Sequence, residues 1–417
     1  MRPLFRSIVT LTAVLGAAAS VSVLAPSAPA APSPTPVAAP SQLPSEDPFY
    51  DAPAGFESRS PGSALRTRQV GLGWRGTDVP ITATQILYRT TDEFGGPAST
   101  VTTVISPPGA RAGTPRRVIS YHSFYDALGS QCDPSYTLRG GNAKEAPIDI
   151  TLISGLLAAG YTVAAPDYEG KGLRWTMARE SGYAALDGVR AALGHLRAPA
   201  RTPVGLFGYS GGSVPTGFGA ELAPRYAPEL NIVGAAAGGV LVNPANNLGY
   251  VNGSENWAGV IPALMAVYAE TYRIDLRPYL SLKGTQVLRQ VAGECIEAFA
   301  DKYPGLTDHQ LLVPSVSGLL AVPGVRQAIS QNVMGTLGKP RTPMMLGVGN
   351  SDGTGDGVML TADVARLAGS YCARGVPTTF SEYRGANHTR AFIPWSAEAL
   401  GFLDRRFTGQ PAQGCGR

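Results

Sequence analysis

A pentapeptide, Gly-Tyr-Ser-Gly-Gly at residues 208–212, stands between two segments of different character. Residues 204–207 before it are apolar and typical of a buried strand, whereas the small residues after it can open a helix. A G-x-S-x-G pattern between a strand and a helix indicates a sharp turn that exposes the serine hydroxyl. The pattern alone is weak in a chain with 51 glycines, so its place in the order of strands and helices decides what it means.

Strand-like and helical segments alternate along most of the chain. From about residue 80, an antiparallel pair of strands is followed by alternating strands and helices, which predicts an α/β fold with a mostly parallel sheet covered on both faces. The predicted strands are 81–90, 99–106, 117–121, 161–166, 204–207, 232–237, 343–348 and 378–383. The predicted helices of this alternating part are 148–159, 181–196, 360–374 and 396–407.

The alternation stops after the sixth predicted strand. Residues 243–338 contain helical pieces, such as 261–272 and 282–301, without intervening strands. We predict that they form a helical cap, or lid, inserted into a core made of residues 50–242 and 339–417. The alternative is a scaffold extension with no part in the chemistry.

The first 30 residues have the features of a secretory signal peptide. Arg2 and Arg6 precede an apolar segment, and Ala28-Pro29-Ala30 offers an A-x-A cleavage site. A transmembrane anchor is the alternative. Residues 31–49 are rich in Pro, Ala and Ser and predict a disordered leader. We therefore expect a secreted, extracellular protein without a membrane span.

The charge and the cysteines narrow the functional classes. A net charge of +4 among 417 residues is too small to predict nucleic-acid binding. The four cysteines predict two disulfides in an exported chain, and of the three open pairings we favour Cys132–Cys295 and Cys372–Cys415. We expect no metal site, because no two cysteines have C-x-x-C spacing and the chain has only four histidines.

The residues after the pentapeptide predict how Ser210 is activated. A serine becomes nucleophilic when a base takes its proton and a third group orients that base, and in this topology the chain order is Ser, Asp/Glu, His. His388 follows the last predicted strand, where the base is expected. The acid is expected in the preceding loop, which contains Asp352 directly after its strand and Asp356 nearer the next helix. We favour Asp352 and keep Asp356 as the alternative.

The same loop permits two other interpretations. Its aspartates and glycines are reminiscent of calcium-binding loops, which is a third use for them. It also contains Ser351 in a second G-x-S-x-G pattern at residues 349–353. No further strand and acid loop separate Ser351 from His388, so we do not assign it as the nucleophile.

Acyl transfer also needs preorganised donors for an oxyanion. The backbone N–H of Gly211 is the expected first donor, because it follows the nucleophile. The second is expected from the loop at residues 122–128, which lacks the H-G-G-G run of many esterases. Composition alone therefore does not identify the second donor.

Several stretches are similar to the secretory lipase family, which includes yeast lipase A enzymes and secreted bacterial relatives. These stretches are 132–136 (CDPSY), 208–212 and 235–240, whereas 155–161 and 163–172 (VAAPDYEGKG) look like the α/β-hydrolase strand and loop just before the serine turn. The resemblance extends over roughly residues 50–410. It implies an α/β-hydrolase fold, carboxylic-ester hydrolysis and a helical lid after the sixth strand.

The resemblance also implies roles for individual residues. Ser210 is then the nucleophile, His388 the base, and Asp126 lies at the oxyanion hole with Gly211. The family's first disulfide begins at the cysteine that matches Cys132. The acid loop departs from the family's H-G-x-x-D-x-x-V-P pattern, because residues 348–352 are followed by extra residues, which leaves the choice of acid open.

The sequence therefore predicts a secreted lipase or esterase, similar to triacylglycerol lipases, that forms an acyl-enzyme on Ser210. We expect a monomer that needs no cofactor, acts on a lipid or small ester and contacts a lipid interface only transiently. Apolar cap residues 311–313 and 319–322 either line an acyl groove or form the cap's own core. A peptidase or acyltransferase using the same residues, and a noncatalytic surface-binding protein with this fold, are the alternatives.

Overall fold

The computed structural model describes residues 42–74, 77–110, 116–141, 146–412, 414 and 415. The predicted signal peptide and residues 31–41 of the predicted leader lie outside these ranges. The end of the leader has tertiary contacts, because Asp47 caps the short 3₁₀ helix Pro48–Tyr50 and forms an ion pair with Arg68. Ordered contacts therefore begin before residue 50, the predicted start of the folded core.

The described strands form a nine-stranded sheet in the order β1-β2-β3-β5-β4-β6-β7-β8-β9. They are β1 (Ala64–Trp74), β2 (Thr77–Thr91), β3 (Pro97–Ile105), β4 (Val118–His122), β5 (Thr162–Pro166), β6 (Pro203–Tyr209), β7 (Asn231–Gly238), β8 (Met344–Asn350) and β9 (Thr378–Arg384). From β5 to β9 each strand pairs parallel with its neighbour, whereas β1, β2 and β3 pair antiparallel. The predicted, mostly parallel sheet is confirmed.

Strand β1 is missing from the sequence prediction, which starts the sheet near residue 80. Its sequence contains two arginines and two glycines, and glycine is depleted in strands. Pairing along β2 and burial of Val70 and Leu72 outweigh this local preference. Because of the extra strand, the sixth predicted strand is β7 of the structure.

Helices cover both faces of the sheet. They are α1 (Pro134–Thr137), α2 (Ala146–Ala158), α3 (Ala178–His195), α4 (Ser213–Tyr226), α5 (Pro244–Val251), α6 (Val260–Tyr272), α7 (Leu282–Val291), α8 (Ile296–Phe299), α9 (Asp308–Leu311), α10 (Val325–Ser330), α11 (Thr361–Ala373) and α12 (His388–Phe407). Because side chains alternate across a strand, Val204 and Leu206 of β6 join the core beneath α3, α4 and α11, whereas Phe207 joins the one beneath α2 and α12.

Residues 243–338, between β7 and β8, contribute α5 to α10 and pack around a core of their own. Trp175 and Met177, from the loop before α3, also belong to this core. The predicted helix at 282–301 is two helices, because the chain leaves helical geometry after Val291 and passes Gly293 at φ +80°. Leu311, Leu312, Leu319 and Val322 are buried here, which favours the core interpretation of those stretches over an acyl groove.

Two disulfides join the favoured pairs of cysteines. Cys132–Cys295 connects the loop after β4 to the insertion, and Cys372–Cys415 connects α11 to the C-terminal tail. Among the residues that the structure describes, no helix combines the length and apolarity needed to cross a bilayer.

Candidate active site

Ser210 lies at the sharp turn between β6 and α4, as the pentapeptide predicts. Its φ of +54° is uncommon for a residue other than glycine. The flanking glycines make this turn feasible. A Cβ at residue 208 would lie 2.1 Å from the carbonyl oxygen of Gly212, and one at residue 212 would lie 2.1 Å from that of His122. The backbone therefore packs too closely for side chains at either position.

A continuous chain of hydrogen bonds runs from Ser210 through His388 to Asp356. His388 Nε2 lies 2.8 Å from Ser210 Oγ, and His388 Nδ1 lies 2.8 Å from Asp356 Oδ2. The other carboxylate oxygen of Asp356 accepts hydrogen bonds from the backbone N–H groups of Val358 (2.9 Å) and Met359 (2.7 Å). The Asp356 carboxylate is thus buried and held in place from both sides.

The preference for Asp352 as the acid is corrected by this geometry. Asp352 is exposed: its Oδ1 accepts from Thr354 N and Gly355 N, and its Oδ2 accepts from the hydroxyl of Tyr250. The N–H of Gly355 is the first cause of the lowered pKa of Asp352. After β8 the chain forms an exposed turn that the side chain of Asp352 closes. Asp356 follows this turn and lies beside His388. Asp352 therefore stabilises the turn, whereas Asp356, the alternative, contacts His388.

His388 is the first residue of α12 rather than a loop residue. Helix α12 begins eight residues before the predicted start at 396, because Asn387 caps it and Pro394 is accommodated within it. The hydroxyl of Tyr209 donates to the carbonyl oxygen of His388 at 2.6 Å. The rings of Tyr209 and Trp257 lie 5.2 and 5.5 Å from the imidazole, measured between centroids. His388 is thus held through both its backbone and its ring.

Asp126 and Gly211 meet on the other side of Ser210. A Cβ at residue 211 would lie 1.8 Å from Asp126 Oδ1, so only glycine fits there. Asp126 is buried, has a φ of +28°, and its burial raises the pKa of the carboxyl to about 7, although Trp175 and His388 oppose the rise. The resemblance implied this proximity, whereas residue patterns alone did not.

A cavity of about 360 Å³ opens at Ser210. Its lining is mainly apolar and comes from the loop after β4, α2, the insertion and α12: Phe124, Asp126, Ile148, Tyr209, Ser210, Trp257, Ile296, Glu297, Ala300, His388, Thr389 and Phe392. Within the described ranges, no three His, Cys, Asp or Glu side chains are grouped so as to hold a metal ion. The arrangement has the parts needed for nucleophilic attack by Ser210 on an apolar substrate.

Sequence reasoning missed the aromatic wall of this cavity. Phe124 and Phe392 contact each other, and Trp257 reaches the imidazole from the insertion. None of the three belongs to a recognisable motif, since their positions depend on contacts between distant segments. Tyr209 is the one residue with a local signal, because it is the variable residue before Ser210 in the pentapeptide.

Comparisons with known proteins show which family the chain is similar to. The secretory lipase family matches residues 142–415. A protein of Mycobacterium tuberculosis named probable inactive lipase is 37% identical over 88% of this chain and 83% of its own length. Lipase 6 of Candida albicans is 34% identical over 89% of this chain and 83% of its own length.

Solved structures share the fold of this chain. The structure of Candida antarctica lipase A matches with a TM-score of 0.80 and 28% identity, and covers 90% of this chain and 88% of the lipase. The rice cell wall degrading esterase LipA of Xanthomonas oryzae, at 19% identity and a TM-score of 0.65 over 85% of this chain and all of the esterase, shares the fold. With its fold, its two disulfides and these relatives, the chain belongs to the secretory lipase family.

Proposed function

We propose that this protein is a secreted carboxylic-ester hydrolase of the lipase or esterase type that works through an acyl-enzyme on Ser210. The observation that carries the proposal is the chain of two 2.8 Å hydrogen bonds from Ser210 through His388 to Asp356. Family membership and the two disulfides fit an extracellular protein. The lipases among the relatives support a lipid ester as the substrate class.

The proposed reaction begins with attack on the ester carbonyl. Ser210 Oγ forms a bond to the carbonyl carbon while His388 Nε2 takes the hydroxyl proton. Asp356, accepting from Nδ1, keeps the ring in the required tautomer and stabilises the imidazolium. The N–H groups of Gly211 and Asp126 are the proposed donors to the oxyanion.

Collapse of the tetrahedral intermediate breaks the bond to the alcohol. His388 returns its proton to the leaving alkoxide, and the acyl group stays on Ser210. A water molecule then attacks the acyl carbon, with His388 again taking the proton. His388 then returns the proton to Ser210 Oγ, and the carboxylic acid leaves. The reaction cycle therefore needs no cofactor.

The apolar cavity supports a role in holding the acyl chain. A volume of about 360 Å³ is within the range of small-molecule sites. We propose that residues 243–338 act as a cap over this cavity, because Trp257, Ile296 and Ala300 of the insertion line it together with Ser210. Opening of the cap would then decide which acyl lengths reach the serine.

A noncatalytic role is the second candidate, and one specific observation favours it. The Mycobacterium tuberculosis relative at 37% identity is named a probable inactive lipase, so membership of the family does not by itself establish activity. The three hydrogen-bonded side chains of this protein favour activity instead.

Peptidase or acyltransferase chemistry would use the same residues and differ only in the acyl acceptor.

Hydrolysis of p-nitrophenyl butyrate and p-nitrophenyl palmitate by the mature protein tests the proposal, with Ser210→Ala as the control. We expect turnover that the variant loses, because the nucleophile is gone while the fold is retained. Labelling by a serine-directed phosphonate should disappear in the same variant. Activity that survives Ser210→Ala, or a wild-type protein that neither hydrolyses nor labels, would overturn the proposal.

A further inference from the structure

The loop at residues 123–128, here called the oxyanion loop, is held by the segment that follows β5. The hydroxyl of Tyr168 donates to the carbonyl oxygen of Ser123 at 2.7 Å. The backbone N–H of Glu169 donates to the hydroxyl of Tyr125 at 2.8 Å, and Glu169 Oε2 accepts from the N–H of Ala127 at 3.0 Å. Contacts thus fall on every second residue of the oxyanion loop, on both sides of Asp126.

Glu169 is the residue that holds the loop twice, once with its backbone and once with its carboxyl. Its side chain is fully buried. Desolvation comes first among the causes that raise its pKa, and the carboxyls of Asp126, Asp133 and Asp167 add to the rise. The raised pKa favours the neutral carboxyl, which still offers an oxygen to the N–H of Ala127.

The peptide held by Glu169 is the one that joins Asp126 to Ala127. Asp126 has a φ of +28°, a conformation that persists only when neighbouring contacts enforce it. Its carboxyl also lies against Gly211, next to the nucleophile. A small rotation of this peptide would therefore move the backbone of Asp126 relative to Ser210.

We propose that Glu169 is a positioning residue of the active site, which aims Asp126 at the reacting carbonyl by holding the N–H of Ala127. The inference rests on the proposed ester hydrolysis and deepens it, because it names a residue on which the oxyanion donors depend. Loss of one such donor lowers kcat by roughly 100- to 1,000-fold in other enzymes. Displacing a donor through a change at Glu169 should lower kcat less, by about 10- to 100-fold.

Two variants of Glu169 and one matched control test this. Glu169→Gln keeps an acceptor oxygen of the same size and should stay within about threefold of wild-type kcat. Glu169→Leu removes the acceptor and should lower kcat by about 10- to 100-fold while KM changes little. Glu221, on α4, is also a buried glutamate that accepts backbone N–H groups, from Gly335 and Leu337. Glu221→Leu should lower thermal stability without lowering kcat.

The measurements are kcat and KM for p-nitrophenyl butyrate, the inhibition constant of a trifluoromethyl ketone, and Tm. The ketone forms a tetrahedral adduct, so Glu169→Leu should weaken it in parallel with kcat, which a purely structural role would not do. If Glu169→Leu does not fold, Glu169→Asp decides, since its shorter side chain withdraws the acceptor and should produce the same pattern.

The outcomes separate the two proposals. An active wild type whose Glu169→Leu or Glu169→Asp variant keeps kcat and ketone affinity overturns the positioning role alone. An equal loss of kcat in Glu221→Leu overturns it as well, because the effect would then be general destabilisation. A wild type that neither hydrolyses nor labels overturns the proposed function and, with it, this inference.

Discussion

Two loops flank Ser210, and they are held in place in different ways. In the acid loop, residues 350–359, Asp352 bonds to residues 354 and 355 and Asp356 bonds to residues 358 and 359. The oxyanion loop is held by Glu169, 42 residues away, and is followed by a disulfide that spans 163 residues. The carboxylates of the acid loop are therefore bonded mainly within the loop, with Tyr250 added from the insertion, whereas the oxyanion loop is held by contacts across the molecule.

The difference decides what each loop can tolerate. Local bonds within a loop form with little loss of chain entropy, so the acid loop can define its turns largely by itself. Buried, long-range bonds form only when the rest of the fold is in place, and each unsatisfied partner there costs free energy. Changes in the acid loop should affect chemistry first, whereas changes around the oxyanion loop should affect both stability and chemistry.

The largest effect is expected from Asp356→Asn. The amide can present its N–H₂ group to His388 and stabilise the wrong tautomer, which costs about 10,000-fold in kcat in a comparable triad. Asp352→Asn is the matched control in the same loop and should change kcat less than about threefold, because asparagine also closes such turns. Steady-state hydrolysis of p-nitrophenyl butyrate by both variants measures this. A larger loss of kcat in Asp352→Asn than in Asp356→Asn would identify Asp352 as the acid of the triad.

The next largest effect concerns the disulfide beside the oxyanion loop. Replacing Cys132 and Cys295 by alanine should lower the free energy of unfolding by about 2–5 kcal/mol, since the bridge closes a long loop of chain. The Cys372–Cys415 bridge spans 43 residues and ends in the C-terminal tail, so its removal should cost less and leave kcat unchanged. Urea unfolding and kcat of the two double variants compare them. Equal losses of kcat would contradict the link between the first disulfide and the oxyanion loop.

The ionisation of Asp126 should make stability depend on pH. Its pKa is raised from 3.8 to about 7, so the unfolded chain ionises first as the pH rises. The folded state therefore loses stability between about pH 4 and pH 7, by up to roughly 4 kcal/mol at 1.36 kcal/mol per pKa unit. Residue 126 cannot ionise in Asp126→Asn. The free energy of unfolding of this variant minus that of the wild type should therefore be larger at pH 8 than at pH 5. Urea unfolding at both pH values measures this, and a constant difference would exclude an elevated pKa.

The same contrast between local and distant contacts explains what could be read from the sequence. The pentapeptide, the strand order and the place of His388 after the last strand are local signals, and the fold that they predict is confirmed. The sequence narrows the triad acid to Asp352 and Asp356. It does not decide between them, because the turn that separates them is also held by Tyr250 of the insertion. Trp257 had no local signal, and the stretch that contains Glu169 gave no sign of its role, because only the folded chain brings these residues near His388 and Asp126.

The smallest effect is expected where the two kinds of contact meet, at Tyr250. Its hydroxyl donates to Asp352 at 2.7 Å and accepts from the N–H of Gly357 at 3.1 Å, and so joins α5 of the insertion to the acid loop. Tyr250→Phe should lower the free energy of unfolding by about 1 kcal/mol and kcat by a few fold, since the turn before Asp356 loosens. Tyr303→Phe, which removes an exposed hydroxyl bonded to Gln290 within the insertion, is the control and should leave kcat unchanged. If both variants keep full kcat, the hydrogen bonds of Tyr250 are not needed to position Asp356.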